Sequence, residues 1–233
     1  MSSNVKWRGE PLPRGRHHLS AAAVRDSQRA RILRAMMECV GRRGYEGTTV
    51  PDVVATARVS RNAYYELFTD KADCFIAVCD EAADELLGEL VALASESSWI
   101  SAVRLGAHAY LRWWQQRPTL ARAYFLSLPM VGERASQQRE RQYEAFRAMF
   151  SELGRRARAE QPELAPLEEL VPRVLVLAIT ELVADEVRAR RTSRLTALSD
   201  QVALLAIRLL ADDATAAQVR AAGEPERPAA RAG

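Results

Sequence analysis

Two short helices joined by a tight turn are predicted within the segment Thr48–Lys71, which reads TTVPDVVATARVSRNAYYELFTDK. Thr49 can cap the first helix with its hydroxyl, and Asp52, three residues later, can complete a capping box. Arg58 lies in the predicted turn, and Ser60 can cap the second helix. Because helices this short are unstable in isolation, the pair must pack against further helices.

The flanking sequence predicts those helices. An amphipathic helix is expected over Ala21–Arg43, with apolar residues on one stripe and arginines on the opposite face. Another follows, capped by Asp70 or Thr69. The stretch from Gln28 to Phe75 resembles the N-terminal domain of the TetR family of bacterial repressors, through the segments RILRA, GYEGTTVPDVV and VSRNAYYELFTDK. The resemblance implies an all-α, nine-helix TetR-like fold, in which a three-helix helix-turn-helix domain precedes a helical ligand-binding and dimerisation domain.

Two positions depart from the family pattern. Arg58 stands in the turn where the family commonly has Gly, and a left-handed backbone there would cost about 1 kcal/mol or more. Asn62 stands where small residues are common. Both positions lie at or beside the expected DNA surface, so they affect the sequence preference and leave the fold intact.

The second helix of such a pair enters the major groove of DNA. Arg61, Asn62 and Tyr64 at its start are therefore predicted to read bases, since Arg suits guanine, Asn suits adenine and a Tyr ring can touch a thymine methyl. The family positions that typically contact the DNA backbone are occupied by Thr49, Tyr65 and Lys71. In the alternative interpretation, Thr49 is mainly a capping residue and Tyr65 mainly a packing residue.

The charge distribution places the DNA contacts near the N-terminus. Residues 1–45 contain ten basic and three acidic residues, a balance of +7, whereas the remaining 23 basic and 27 acidic residues give −4. Residues 1–19 are predicted to form a flexible basic arm, in which Arg14 and Arg16 could enter a minor groove beside the recognition helix. The alternative is a solvated tail without ordered contacts.

Periodicity divides the remainder into a second helical domain. We predict a DNA-binding domain over residues 20–75, a ligand-binding and dimerisation domain over 76–211, and a disordered tail over 212–233, which is rich in Ala, Pro and Gly. The later helices are expected at about 100–116, 118–128, 132–159, 167–191 and 194–210. Cys39, Cys74 and Cys79 are expected to be buried small hydrophobic residues in a reduced cytoplasm.

The helix from Leu167 is apolar on two sides, so one side can fill the core while the other needs a partner. A homodimer with a four-helix interface would bury both. In the alternative, a monomer covers both faces with its own helices. The residues assigned to the interface are Val176, Ile179, Val183, Val187, Leu198, Val202 and Leu205.

Ligand-binding candidates are polar or aromatic residues set in apolar stripes, which could recognise a small molecule in an apolar cavity. They could equally be rim, core or interface residues. The candidates are His108, Tyr110, Trp114, Phe125, Gln138, Gln142, Phe146, Met149 and Glu181.

Several function classes lack support in the sequence. No nucleophile motif, phosphate loop or cofactor motif is found, no metal cluster is expected, and an enzyme is therefore not predicted. No signal peptide or membrane span is found, which predicts a soluble cytoplasmic protein. Two functions remain, namely a repressor released from a palindromic operator by an apolar or amphipathic effector, and a DNA-binding regulator without an effector, whose second domain only dimerises or binds a protein partner. A cavity between the central helices would favour the first.

Overall fold

The computed structural model describes residues 20–95, 98–212, 215 and 218; within this part of the chain there are nine α-helices and no β-strand. The predicted all-α, nine-helix architecture is confirmed. The helices are α1 (Ala21–Arg43), α2 (Val50–Ala57), α3 (Arg61–Tyr65), α4 (Lys71–Ser95), α5 (Trp99–Gln115), α6 (Pro118–Arg122), α7 (Glu133–Glu160), α8 (Val171–Arg188) and α9 (Ser199–Leu210). Among the described helices, none has the length and apolar character needed to cross a bilayer.

The first three helices form at their predicted positions because local signals define their ends. Thr49 and Asp52 make the predicted capping box of α2, and the Ser60 hydroxyl accepts a hydrogen bond from the Ala63 amide, 3.0 Å away, at the start of α3. Gly44 ends α1 in a positive-φ conformation (φ 73°). Gly41 lies inside this helix.

Helix α4 links the helix-turn-helix to the rest of the molecule. The Asp70 carboxylate accepts the Asp73 amide at 2.7 Å, which confirms Asp70 as its cap. Its 25 residues extend about 37 Å, and it packs against α1, α5 and α7. Cys74 and Cys79 on this helix are buried free cysteines that form no disulfide, and so is Cys39 on α1.

Three later boundaries differ from the prediction. After α6 the chain continues as a π-helical turn (Ala123–Ser127) and a 3₁₀ turn (Leu128–Met130). Helix α8 begins at Val171 rather than Leu167, because Pro172, which has no amide hydrogen, belongs in a first turn. The chain before α9 is a 3₁₀ helix, Thr192–Leu198, held by Gln115, whose side-chain oxygen accepts from the Thr196 amide at 2.9 Å.

Candidate nucleic-acid interface and ligand cavity

Some side chains at the start of α3 face the solvent, and others are buried. Arg61, Asn62 and Tyr65 are exposed, and the Arg61 guanidinium carbon lies 5.7 Å from the centre of the Tyr65 ring. Tyr64 is 0% exposed, and its hydroxyl donates to the Asp70 carbonyl at 3.1 Å. The prediction that Tyr64 reads bases is therefore wrong. Its ring fills the core beneath α3, while Arg61 and Asn62 remain available for base contacts.

The turn before α3 has the left-handed backbone considered from the sequence. Arg58 has φ 54° and ψ 48° at the C-terminal end of α2, and its carbonyl accepts a hydrogen bond from the Arg31 guanidinium at 3.4 Å. Such a conformation costs a non-glycine residue about 1 kcal/mol or more. Its exposed side chain adds a cation beside α3. The sequence interpretation did not include Arg58 among the DNA contacts, although its place in the turn was a signal.

Thr49 has a structural role at the start of α2. Its hydroxyl donates to the Asp52 carboxylate at 2.6 Å, and Arg43 contacts the same carboxylate at 2.5 Å. The Thr49 hydrogen bond, followed by that from Arg43, lowers the pKa of Asp52 to about 2. Thr49 is nevertheless exposed, so its contact with the DNA backbone stays a prediction.

Lys71 is held at the start of α4 beside the helix-turn-helix. Its ammonium donates to the Tyr45 carbonyl at 3.0 Å and lies 4.1 Å from the centre of the Tyr45 ring. An ammonium has three donors, so this anchored group can also bind a phosphate. The contacts predicted for Arg14 and Arg16 lie outside the described residues.

A cavity opens between the helices that follow the helix-turn-helix. The empty space between these helices, counted together with its open mouth, is about 880 Å³. The predicted residues that line it are Tyr110, Trp114, Phe146 and Met149. The other lining residues are Ala83, Leu86, Leu90, Ala94, Ala102, Val103, Gly106, Ala107, Tyr124, Tyr143, Phe150, Leu153, Val176, Ile179, Thr180, Val202 and Ala206.

Two of the predicted ligand-binding glutamines bond to the protein itself. The Gln142 amide donates to the Asp80 carboxylate at 2.5 Å, and its oxygen accepts from the Tyr124 hydroxyl at 2.7 Å. Gln138 also hydrogen-bonds to Asp80. Burial raises the pKa of Asp80 to about 6, an effect that these two amides oppose. Both glutamines therefore belong to a polar cluster behind the Tyr124 ring. They do not line the cavity, and their ligand contacts stay a prediction.

The three other ligand candidates are also away from the cavity wall. Phe125 is buried behind Trp114, with ring centres 4.7 Å apart. His108 is exposed, and its Nδ1 lies 3.4 Å from the Ser199 hydroxyl. Glu181 is exposed and pairs with Arg188 on the outside of α8. None of these three side chains is among the residues that line the cavity, and their ligand contacts stay a prediction.

Three polar residues of the cavity were not identified from the sequence. Tyr143 repeats helically with Phe146 and Phe150 on α7, and Thr180 interrupts the apolar stripe of α8, so both had recognisable signals. Tyr124 lies in the π-helical turn, where the periodicity of an α-helix does not apply.

The α8 residues that were predicted to form the dimer interface turn inward. Val176, Val183 and Val187 are at most 4% exposed, because they pack inside the monomer. Ile179 and Val202 line the cavity, and Leu198 packs against the core. Of the predicted interface residues, Leu205 is the large apolar side chain on the surface, at 45% exposed. The exposed apolar residues beside or on α8 are Leu170, Val174, Leu177 and Leu182.

Comparison with known proteins identifies the N-terminal pattern. A family model described as bacterial regulatory proteins of the tetR family matches residues 32–78, from within α1 into α4. Residues 32–78 therefore form a domain of the TetR family. TetR proteins are regulators rather than enzymes, which agrees with the sequence prediction. The HTH-type transcriptional activator FasR of Mycolicibacterium smegmatis is 28% identical over 87 residues, which cover 37% of this chain and only 40% of FasR.

Solved structures share the fold over most of the chain. The fatty acid degradation regulator FadR of Bacillus halodurans has a TM-score of 0.68 at 17% identity, covering 76% of this chain and 96% of that one. Bacillus subtilis FadR in complex with stearoyl-CoA also has a TM-score of 0.68, at 18% identity, covering 77% and 97%. These likenesses confirm the TetR-like fold.

Proposed function

We propose that this chain is a homodimeric, sequence-specific DNA-binding transcriptional regulator, whose affinity for an operator is controlled by a small molecule in the cavity. The observation that carries the DNA-binding role is the surface of α3, where Arg61 and Asn62 point outward while Tyr64 anchors the helix from below. Family membership supports the same role. Arg61 and Asn62 would read bases, and Thr49, Tyr65 and Lys71 would contact the backbone.

The dimer would form through the exposed apolar face of α8 together with α9. Leu177 on α8 is 46% exposed and Leu205 on α9 is 45% exposed. Helices α8 and α9 pack against each other, so the two leucines belong to neighbouring elements. Two copies of this face would give a self-complementary interface and two recognition helices for a palindromic site.

The effector would be an elongated, largely apolar molecule. The cavity is lined along α5 from Ala102 to Trp114, a separation that corresponds to about 18 Å of helix. The stearoyl-CoA named for the Bacillus subtilis FadR complex supports a ligand with a long apolar part. The cavity favours this function over a regulator whose second domain serves only dimerisation or a protein partner.

Regulation would act through α4, because this helix contributes to both proposed domains, residues 20–75 and 76–211. Its first turn holds Lys71, and its later residues Ala83, Leu86 and Leu90 line the cavity. A ligand that prefers one position of α4 would change the separation of the two recognition helices. The expected sense is repression in the cytoplasm, with the effector releasing the operator.

Identification of the operator tests this proposal. Footprinting of DNA around the protein's own gene is expected to show a near-palindromic site, with half-sites about one helical turn apart and recognition helices roughly 35 Å apart. Deletion of the gene is expected to raise transcription from that promoter, whereas a fall would indicate an activator, as FasR is named. Binding without sequence preference would contradict the proposed role.

A further inference from the structure

Polar groups in the cavity wall are concentrated around Tyr110. The Tyr110 hydroxyl interacts with Thr180 on α8, and the same threonine interacts with the hydroxyl of Tyr143 on α7. Trp114 follows one turn after Tyr110 on α5, and their rings meet edge to face, with centres 6.4 Å apart. We call Tyr110, Trp114, Tyr143 and Thr180 the polar end of the cavity. Except for Tyr124, whose hydroxyl binds Gln142, the remaining lining residues are apolar.

The polar end contains a hydrogen-bond donor without an acceptor. Trp114 is 1% exposed, and its Nε1 group interacts with the Tyr110 hydroxyl but reaches the geometry of a hydrogen bond with none of the described residues. An indole N–H can only donate. Burial raises the pKa of both Tyr110 and Tyr143, so their hydroxyls also keep their protons. The complementary ligand group is therefore a hydrogen-bond acceptor.

The charges around the polar end favour an uncharged acceptor. No acidic or basic side chain is among the residues that line the cavity. Behind the wall, Arg139 lies with its guanidinium carbon 5.2 Å from the centre of the Tyr143 ring, and Glu181 lies close enough to oppose its effect on that phenol. Arg139 is not among the residues that line the cavity, so it offers a ligand there no direct ion pair. A carboxylate would be desolvated without a direct partner, whereas a carbonyl oxygen would not carry that penalty.

We propose that the cavity binds an elongated apolar molecule that carries an uncharged carbonyl group, as in an ester, a thioester or a ketone. The carbonyl oxygen accepts one hydrogen bond from Trp114 Nε1 and one from a hydroxyl of the polar end, since it has two lone pairs, and the apolar chain lies along α4, α5 and α7. This inference rests on the proposed function, in that it takes the cavity as the effector site.

Calorimetry with three ligands of matched chain length tests the carbonyl. Methyl decanoate carries an uncharged carbonyl, decanoate is ionised at about pH 8, and decane has no polar group. The full-length protein is expected to bind methyl decanoate about tenfold more tightly than either of the others, the effect of roughly one hydrogen bond. Decanoate binding equal to or tighter than that of the ester overturns the inference, as does binding of none of the three.

Variants connect the preference to the polar end. Tyr110→Phe and Thr180→Val remove hydroxyls while nearly keeping shape, and each is expected to reduce the preference for the ester over decane severalfold, with the affinity for decane kept. Met149→Leu is the matched control, because it alters the apolar wall alone and should change all three affinities alike. An unchanged ester preference in both hydroxyl variants overturns the inference.

Two further measurements identify the source of the carbonyl group and distinguish a failure of this inference from a failure of the proposed regulation. The N-acetylcysteamine thioester of decanoate and decanoyl-CoA test whether the carbonyl comes from a thioester; tighter binding than the methyl ester identifies that source, and equal binding identifies a free ester. If the ester is preferred but no ligand changes operator affinity, the carbonyl inference holds and regulation through the cavity fails. If all ligands bind alike and still release DNA, regulation holds and the carbonyl inference fails.

Discussion

Neighbouring residues at the start of α3 have opposite roles. Arg61 and Asn62 are exposed, whereas Tyr64 is buried against the core. Replacing Arg61 or Asn62 by Ala is expected to cost about 1–3 kcal/mol per base contact and to relax specificity at that base pair. Fluorescence anisotropy on operators with single substitutions measures both effects. An unchanged preference among those operators would exclude base reading by the residue replaced.

Lys71 should contribute affinity without specificity. Its ammonium is anchored by the Tyr45 carbonyl at the start of α4. Lys71→Ala is expected to weaken binding to all sequences alike and to lower the slope of log affinity against log salt by about one unit per half-site. Lys71→Arg, which keeps the charge, is the control. Unaltered affinity and slope in Lys71→Ala would contradict the phosphate contact.

Asp80 should make stability depend on pH. Burial, with a smaller contribution from Asp84, raises its pKa in the folded protein to about 6, while Gln138, Gln142 and Arg141 oppose the shift. The folded state then binds the proton more tightly than the unfolded state, whose Asp titrates near ~3.9. Its contribution to the free energy of unfolding is therefore fully present below about pH 4, falls as the pH rises to about 6, and is lost above it.

Asp80→Asn cannot titrate, which makes it the matched variant for this effect. The melting temperature of Asp80→Asn minus that of the natural protein is expected to rise between about pH 5 and pH 7.5. A difference that stays constant over this range would show that Asp80 titrates normally.

The elements differ in how far the sequence determines them. Helices α2 and α3 follow from caps and a turn that lie within a few residues of one another. Tyr64 was misassigned because α3 has only five residues, too few for periodicity to separate a buried face from an exposed one. On α8 both faces are apolar, and which one turns inward depends on packing against distant helices.

The proposed dimer interface is tested on the exposed face of α8. Leu177→Glu is expected to give a folded monomer with reduced operator affinity, because an unpaired charge in an apolar interface is strongly unfavourable. Leu105→Glu on α5, at a comparably exposed leucine, is the control and should stay dimeric. Val183→Asp should instead unfold the chain, since Val183 is fully buried. Sedimentation showing dimeric Leu177→Glu would place the interface elsewhere.

In the molecule as a whole, contacts between residues far apart in sequence hold the helices around the cavity together. Gln142 binds Asp80, 62 residues away, and Tyr124, 18 residues away. Helix α1 also approaches α6 closely at Gly41, where an added Cβ would lie 2.8 Å from the Thr119 methyl carbon. Such partners cannot be read from local patterns. Of the ligand-binding candidates chosen from the sequence, four aromatic and thioether residues line the cavity, whereas Gln138 and Gln142 do not.

The free energy that couples ligand binding to operator binding can be calculated. A ligand that shifts the protein from 1:99 to 99:1 between its two forms must prefer one of them by about 10⁴, or ~5.5 kcal/mol. By reciprocity, the operator must weaken ligand binding by the same factor by which the ligand weakens operator binding.

Titration of methyl decanoate into the protein, alone and with saturating operator, tests this account most directly, with DNA of scrambled sequence as the control. Trp114 lines the cavity, so its fluorescence can report binding. The account predicts weaker ligand binding with operator, by the factor measured for operator release, and unchanged binding with scrambled DNA. Equal ligand affinity with and without operator would contradict it.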